Sequence, residues 1–305
     1  MKLTGIHFLL TFQCNFECDH CFVWGSPWQS GTFSLEKIQK ALIQAKEVGS
    51  IEWIYYEGGE PNLYYPILLK AVQEASQLGF QVGIVSNAYW ATSKEDARVW
   101  LEPFVGLVQD LSVSTDLFHY KEQFSQQAQH ATAAADELCI PMGVISVAHP
   151  ETCNSESSQV SPASGQLPLG ESGVMYRGRA AEKLIQYATY QPWRQFNQCP
   201  HEDLREPGRV HLDPFGNLHI CQGISIGNLY EIPLKKICKK YNPDAHPIVA
   251  PLLSGGPAEL ARRYGFKPDQ GYADACHLCF TTRKALRTQF PQTLTPDQMY
   301  GVIDI

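Results

Sequence analysis

No stretch of the chain is apolar over the ~20 residues that a membrane-spanning helix requires. The first residues also lack the basic region, the long apolar run and the small-residue cleavage site of a secretory signal peptide, because the opening segment GIHFLLTF is short and runs directly into cysteines. These absences argue against a membrane protein and against a secreted one. We therefore expect a cytoplasmic protein without a membrane partner.

Positive charge is also scarce in this sequence. The 305 residues carry 24 Lys and Arg against 31 Asp and Glu, a formal net charge of -7, and no segment is a run of Lys or Arg. This balance argues against a nucleic-acid partner or another polyanion. We therefore expect a small-molecule substrate or a peptide.

Cysteine, by contrast, is abundant, with ten residues. In a cytoplasmic chain of this length, clustered cysteines bind metal or carry out redox chemistry more often than they form disulfides. Seven of the ten fall into two groups, and we predict that each group binds metal. The first group is Cys14, Cys18 and Cys21, and the second is Cys199, Cys221, Cys276 and Cys279.

From residue 3 to about 148, apolar β-rich runs alternate with helical patterns. In the pattern SLEKIQKALIQAKEVG, we predict Ser34 as the N-cap, with Lys37 at N3, and Gly49 as the end of the helix. Such alternation predicts an α/β fold with a parallel sheet, whose strand ends converge on one cleft. The predicted strands are GIHFLLTF, SIEWIYYEGG, FQVGIVSNA, VQDLSVSTD and PMGVISVAH.

The second half of the chain is less regular. Residues 150–172 are rich in Ser, Gly and Pro and are predicted to form a mobile loop, and GVMYRGRAAEKL then predicts a sixth βα unit. RVHLDPFGNLHICQG predicts a β-hairpin with its turn at PFGN. We therefore divide the chain into a main domain, 1–194, and a small cysteine-dependent extension of a hairpin plus helix, 195–305.

Three cysteines lie on one short loop, in TFQCNFECDHCFVWG. Soft thiolate ligands select zinc, copper(I) or iron–sulfur clusters. Structural zinc requires four ligands, and His20, the nearby fourth candidate, is adjacent to Cys21 and can hardly join it on one tetrahedral ion. Three ligands suit a four-iron cluster that leaves one iron open for a substrate or cofactor. A zinc knuckle or scattered thiols are the alternative.

The spacing Cys14-x3-Cys18-x2-Cys21 after the first predicted strand, with GGEP after the second, resembles the radical S-adenosylmethionine (radical SAM) superfamily. Over residues 3 to about 190, this resemblance implies a partial (β/α)6 TIM-like barrel that is open on one side. It also implies a 4Fe-4S cluster whose open iron binds S-adenosylmethionine, cleavage of that cofactor to a 5'-deoxyadenosyl radical, and abstraction of a substrate hydrogen. In the family, the GGEP backbone and acid hold the cofactor's amino group, and a glycine turn is the alternative for Gly58, Gly59, Glu60 and Pro61.

Further cofactor-binding positions follow from the resemblance. The family usually has an aromatic residue near the adenine just before the third cysteine, where this chain has His20. In related enzymes, side chains at later strand ends contact the ribose or the carboxylate, and an Arg in a GRA sequence can bind a carboxylate in a bidentate fork. Turn, cap or surface salt-bridge roles are the alternatives. The residues so implicated are Ser86, Asn87, Ser114, Asp116, Arg177 and Arg179.

In the second cysteine group, Cys276-x2-Cys279 has the spacing of a metal knuckle, and Cys199 and Cys221 can complete four ligands. Four thiolates suit zinc as well as a fully ligated 4Fe-4S cluster, and spacing does not separate the two. The order Gly216-x4-Cys221, GISIGNL and CxxC is similar to twitch, the shorter form of the SPASM extension in radical SAM enzymes. That resemblance implies one auxiliary 4Fe-4S cluster without an open iron, whose task is to carry an electron.

Together these implications predict an oxidoreductase that also needs an external flavodoxin- or ferredoxin-like electron donor. Redox-neutral chemistry, such as peptide epimerisation, rearrangement or carbon–carbon bond formation, is an alternative, and so is a non-catalytic maturation accessory. Tyr120 and His119 are candidate proton acceptors and Cys153 a candidate hydrogen-atom donor, with bystander roles as the alternative. Because the first strand begins near residue 3, we expect no N-terminal peptide-binding domain, which weakens the peptide hypothesis without removing it.

Overall fold

The computed structural model of the protein describes residues 1–150 and 171–303. The five strands predicted in the first half of the chain are confirmed, and neighbouring strands pair in parallel. Their bounds are β1 Gly5–Thr11, β2 Trp53–Gly58, β3 Gln81–Ser86, β4 Asp110–Ser114 and β5 Met142–Ile145.

Helices separate these strands along the chain and continue after them. In the first half they are α1 Leu35–Val48, α2 Tyr65–Gln77, α3 Lys94–Leu101, α4 Leu117–Tyr120 and α5 Gln126–Glu137. In the second half they are α6 Ala180–Lys183, α7 Leu234–Lys240, α8 Val249–Arg263 and α9 Ala275–Leu286.

The ends of α1 show how local sequence sets an element. The Ser34 hydroxyl accepts a hydrogen bond from Lys37 N at 3.4 Å, and Gly49 closes the helix with a left-handed φ of 82°. Both predicted caps are therefore confirmed. Between them, Ile38 and Leu42 recur at helical spacing and are fully buried in the core.

The C-terminal strands extend the same sheet. They are β6 Gln191–Pro192, β7 Arg209–Leu212, β8 Asn217–Cys221, β9 Ile224–Asn228 and β10 Gly271–Tyr272. The predicted hairpin is confirmed as the antiparallel pair β7 and β8, and β7 pairs in parallel with β1. The eight-stranded order is β5-β4-β3-β2-β1-β7-β8-β9, while β10 and β6 form a separate antiparallel pair. Strands from both sides of position 194 thus share one sheet, and the domain division there stays a prediction.

In the predicted sixth βα unit, the strand is wrong, whereas the helix start is confirmed as α6, Ala180–Lys183. A β-bridge between Val147 and Ser172 brings the chain to β5, but residues 173–178 form no strand. The backbone after this segment is hydrogen-bonded to the cysteine loop instead of to β5, since Arg179 N donates to the Cys21 carbonyl oxygen at 2.9 Å. The helix that follows, α6, is a single turn. The sixth parallel strand is β7, at the other edge of β1.

The two faces of the sheet differ in chemistry. Because side chains alternate along a strand, Ile6 and Phe8 of β1 lie on one face, where both are fully buried in the hydrophobic core. His7 lies on the other face, in register with Tyr55 of β2 and His211 of β7. Polar side chains therefore line the face opposite the core at the centre of the sheet.

Two further predictions concern the loop at 150–172 and the absence of a membrane-spanning helix. Cys153 and most of the predicted mobile loop at 150–172 lie outside them. Among the helices that are described, none is long and apolar enough to cross a membrane.

Candidate active site

The loop after β1 and the carboxyl ends of β2, β3 and β4 surround a cavity of about 270 Å³. Parallel pairing brings these ends to the same edge of the sheet, so residues far apart in sequence meet here. Of the residues singled out from the sequence, those that line the cavity are Cys14, Cys18, His20, Cys21, Gly58, Gly59, Ser86, Asn87, Ser114, His119 and Arg177.

The three-cysteine loop directs backbone donors at its sulfurs. Phe16 N donates to Cys14 Sγ at 3.3 Å, and Gly25 N donates to Cys21 Sγ at 3.2 Å. Burial raises the pKa of Cys14 to about 12 and raises the pKa of Cys18 further. Thiols buried in this way ionise beside a compensating cation, and N–H donors favour the thiolate form. This donor set therefore fits an iron–sulfur cluster held by three thiolates.

Glycine is required at 58 and 59 by a close approach of two chain segments. Gly58 has a φ of +129°, and a Cβ at Gly59 would lie 2.0 Å from the carbonyl oxygen of Gln13. Hydrogen bonds from Gly59 N to Thr11 O at 2.7 Å and from Glu60 N to Gln13 O at 2.9 Å fix this approach. The GGEP segment thus holds the start of the cysteine loop against the end of β2.

Glu60 connects this segment to the end of β3. Its buried carboxylate accepts hydrogen bonds from Asn62 N at 3.0 Å, Asn62 Nδ2 at 2.9 Å and Ser86 Oγ at 2.9 Å on Oε1. Oε2 accepts from Asn87 N at 2.7 Å. Glu60 therefore positions Asn87 at the cavity wall. Direct contact of the Glu60 carboxylate with the cofactor's amino group stays a prediction.

Asp116 orders the wall after β4. Its Oδ1 accepts from Phe118 N at 3.0 Å, which caps α4, and lies 2.8 Å from His119 Nδ1. The His20 ring stacks on Phe118 with 4.6 Å between centroids. Burial lowers the pKa of His20 to about 4, so its imidazole is neutral and presents a flat surface to the cavity.

The two predicted proton acceptors differ in position. The Tyr120 hydroxyl donates to the Asn87 carbonyl oxygen at 2.8 Å, and burial raises the pKa of Tyr120. A phenol in that state is a poor proton acceptor at neutral pH. His119 faces the cavity and is oriented by Asp116, so of the two it is better placed to accept a proton.

Arg179 and Arg177 occupy different places. The buried Arg179 guanidinium donates to Cys18 O at 2.7 Å and Gly25 O at 2.8 Å, and so braces the cysteine loop. Arg177 lines both this cavity and a second one, and its guanidinium lies 3.2 Å from the Glu202 carboxylate. Binding of a substrate or cofactor carboxylate by either arginine stays a prediction.

The second cavity gathers the second cysteine group beside two buried guanidinium groups, Arg177 and Arg283. Burial raises the pKa of Cys279 to about 11 and also raises the pKa of the Cys221 thiol. Four thiols beside two fixed cations fit a centre that carries net negative charge once the thiols ionise. The cysteines that line this cavity are Cys199, Cys221, Cys276 and Cys279.

Sequence reasoning missed several residues that hold the first cavity together. Asn15 accepts a hydrogen bond at 2.9 Å from the Asn87 side chain, and Asn62 binds Glu60. Sequence position was a partial signal that these two residues belong to the site, since Asn62 directly follows GGEP and Asn15 directly follows the first cysteine. Gly25 and Phe22 also line the cavity, but neither carries a group that composition or spacing marks as functional.

Residues 8–115 match a family model described as "Radical SAM superfamily", so this segment is a Radical SAM superfamily domain. Its bounds contain the three-cysteine loop, GGEP and the ends of β3 and β4. Most of the residues that line the first cavity lie within this segment.

Two curated proteins share part of this region. The "Putative peptide biosynthesis protein YydG" of Bacillus subtilis (strain 168) is 28% identical over 111 residues, 36% of this chain and 35% of that protein. The "S-adenosylmethionine-dependent nucleotide dehydratase" of Fibrobacter sp. (strain UWH6) is 24% identical over 135 residues, 40% of this chain and 36% of that protein. The chain spans about a third of the length of these curated relatives.

Among solved structures, "Native anSMEcpe with bound AdoMet" is similar over 95% of this chain and 97% of that chain. The sequence identity is 11% and the TM-score is 0.48. We draw no functional conclusion from a likeness at this level.

Proposed function

We propose that the protein is a radical SAM enzyme that oxidises a small molecule or a peptide side chain by removing two electrons and two protons. The observation that carries the proposal is the convergence of three cysteines, of which Cys14 and Cys18 are buried, with the Gly58–Gly59 backbone and Asn87 on one cavity. Cys14, Cys18 and Cys21 would hold a 4Fe-4S cluster, which when bound supplies the electron that cleaves S-adenosylmethionine to methionine and a 5'-deoxyadenosyl radical.

The chain's own residues would then bind and orient the cofactor. Backbone carbonyls at Gly58 and Gly59 would accept hydrogen bonds from its amino group, since both glycines line the cavity. Asn87 and Ser114 offer polar groups for the ribose and carboxylate, and the neutral His20 ring offers a stacking face for the adenine.

The second cysteine group would hold an auxiliary 4Fe-4S cluster of the twitch type, which when bound supplies an electron acceptor. Support for this assignment comes from four cysteines on one cavity beside Arg177 and Arg283. Arg177 lies on the walls of both cavities, so the two cavities adjoin at this side chain. A zinc ion is the competing occupant, and it could not accept an electron.

When bound, the cofactor would supply a 5'-deoxyadenosyl radical that takes one hydrogen atom from a substrate C–H bond and becomes 5'-deoxyadenosine. The auxiliary centre, when bound, would supply the acceptor for the second electron. The remaining proton would go to a base, and His119, which lines the cavity and is oriented by Asp116, is our candidate for that base. A flavodoxin- or ferredoxin-like protein would supply the electron for each cleavage of the cofactor.

A redox-neutral reaction is the second candidate. The relative from Bacillus subtilis is described as a peptide biosynthesis protein, which supports a peptide substrate, and peptide epimerisation is a redox-neutral reaction on such a substrate. Cys153 would be the hydrogen-atom donor in that case. A non-catalytic maturation accessory is a third candidate, which would bind metal without cleaving the cofactor.

The first experiment is an anaerobic reconstitution followed by a count of iron and sulfide per chain. We expect about eight irons in the parent, since two 4Fe-4S clusters hold four each, and about four in a variant with Cys14, Cys18 and Cys21 changed to Ala. With dithionite and S-adenosylmethionine, the parent should form 5'-deoxyadenosine and the variant should not. A Cys276→Ala/Cys279→Ala variant should keep this cleavage.

Each outcome selects among the candidates. About four irons and one zinc in the parent would remove the electron acceptor and leave the redox-neutral candidate. Full iron content without 5'-deoxyadenosine, even with chemical reductant, would leave the accessory. No iron in either form would overturn the proposed function altogether.

A further inference from the structure

Three side chains outside both cysteine groups meet on the polar face of the sheet. His7 of β1, Glu57 of β2 and His211 of β7 come from adjacent strands, and their candidate ligand atoms all lie within 4.8 Å of one another. Glu57 Oε1 is 3.3 Å from His7 Nδ1 and 3.0 Å from His211 Nε2. Each of the three side chains is mostly buried, with 10–13% of its surface exposed.

These separations suit a metal ion. Ligands at 2.0–2.1 Å from a tetrahedral zinc ion lie about 3.3 Å from one another. Two imidazole nitrogens and one carboxylate oxygen are also a recurrent ligand set for zinc and for non-haem iron, and in such sites three protein ligands leave a further position open.

Hydrogen bonding does not account for the arrangement. In the part of the chain that the structure describes, His7 Nδ1 and Glu57 Oε1 are buried and neither makes a hydrogen bond of good angle, although Glu57 Oε1 lies 3.3 Å from His7 Nδ1 and 3.0 Å from His211 Nε2. Buried polar atoms normally have a partner, and two that converge without one mark a place for a missing group.

We propose that His7, Glu57 and His211 bind a divalent transition-metal ion of the zinc class. The site adjoins the proposed substrate space, since Glu57 lines the first cavity and the His211 ring lies 6.1 Å from the ring of Phe22, which also lines it. The open position of the ion would take an oxygen or nitrogen of the substrate. None of the three ligands belongs to either cysteine group, while the role of the open position rests on the proposed function.

The test uses the fully reconstituted protein, stripped with EDTA, dialysed against Zn²⁺ and analysed by mass spectrometry for zinc and iron. We expect one zinc per chain beyond the iron, and zinc-edge absorption with only nitrogen and oxygen ligands at about 2.0–2.1 Å. Glu57→Gln and His211→Asn should each weaken zinc binding by about 10-fold or more, because each removes a direct ligand. His130→Gln is the matched control, since His130 lies on α5, outside the cluster.

Three results would overturn the proposal: no zinc in the parent, sulfur ligands around the zinc, or undiminished zinc in both variants. Iron content and circular dichroism report whether each variant folds. Should His211→Asn fail to fold, the nearly isosteric Glu57→Gln and the ligand atoms seen in the parent still decide the question. Loss of radical chemistry with zinc retained would count against the proposed function and not against this site.

Discussion

At Gly59 a single methyl group would collide with the chain that opens the cysteine loop. A Cβ there would lie 2.0 Å from Gln13 O, and that atom is backbone, so the two segments would have to move apart. We predict that Gly59→Ala lowers iron from about eight to about four per chain, because the first cysteine group loses its geometry. Iron analysis and the yield of 5'-deoxyadenosine measure the effect.

Gly143→Ala is the matched control for this change. Gly143 lies in β5, where an added Cβ meets nothing within 4 Å, so iron content and cleavage should stay at the parent level. Full iron and full cleavage in Gly59→Ala would show that the cysteine loop tolerates separation from the end of β2.

The residue scale also shows what a sequence can predict about a site. Cys14, Cys18 and Cys21 and the glycines of GGEP were found because spacing and motif are local properties of the chain. Asn15 could not be assigned in the same way, because its partner Asn87 is 72 residues away and the contact exists only after β1 and β3 align. The His7 cluster was missed for the same reason, since its members come from three separate strands.

At the scale of elements, local signals succeeded where an element is defined by its own residues. Caps and periodicity gave α1, and alternating apolar runs gave β1 to β5. The wrong strand prediction at 173–178 came from reading an apolar run before a helix start as the strand of a βα unit. The backbone directly after that segment is fixed by a hydrogen bond to Cys21, a partner more than 150 residues away, and no local pattern reports such a partner.

The hairpin that carries Cys221 depends on one buried carboxylate, Asp213. Its Oδ1 accepts from Phe215 N at 2.9 Å and Asn217 N at 3.0 Å, and Oδ2 lies 2.9 Å from His219 Nε2. Asp213→Ala would leave buried donors without acceptors, at a cost of about 1–3 kcal/mol each. We predict a lower denaturant midpoint and loss of metal from the second cysteine group, with the first group still loaded.

Asp203→Ala is the control that separates the loss of the buried Asp213 carboxylate from the loss of any carboxylate that accepts backbone hydrogen bonds in a turn. Asp203 also accepts two backbone hydrogen bonds, from Arg205 N at 3.0 Å and Glu206 N at 2.9 Å, but in an exposed setting. Denaturation curves and metal content of this variant should match the parent. Equal losses in the two variants would mean that burial of Asp213 is not what stabilises the hairpin.

At the scale of the whole molecule, the two parts of the chain on either side of position 194 are joined along β1. This strand has β2 on one edge and β7 on the other, so removal of the C-terminal part would expose a long edge at the centre of the sheet. Further bonds cross the same boundary, from Thr4 N to Gly208 O at 2.7 Å and from Leu234 N to Gln44 Oε1 at 2.8 Å.

This arrangement predicts that residues 1–194 and 195–305 fold together. The full chain should unfold in one cooperative transition by circular dichroism, whereas a fragment of residues 1–194 should aggregate or melt without a clear transition. Co-expression of the two fragments should restore soluble protein, because the partner edge of β1 is then supplied in trans. A soluble 1–194 fragment that melts cooperatively at the temperature of the full chain would instead establish two independent domains, with the β1 and β7 pairing as a contact between them.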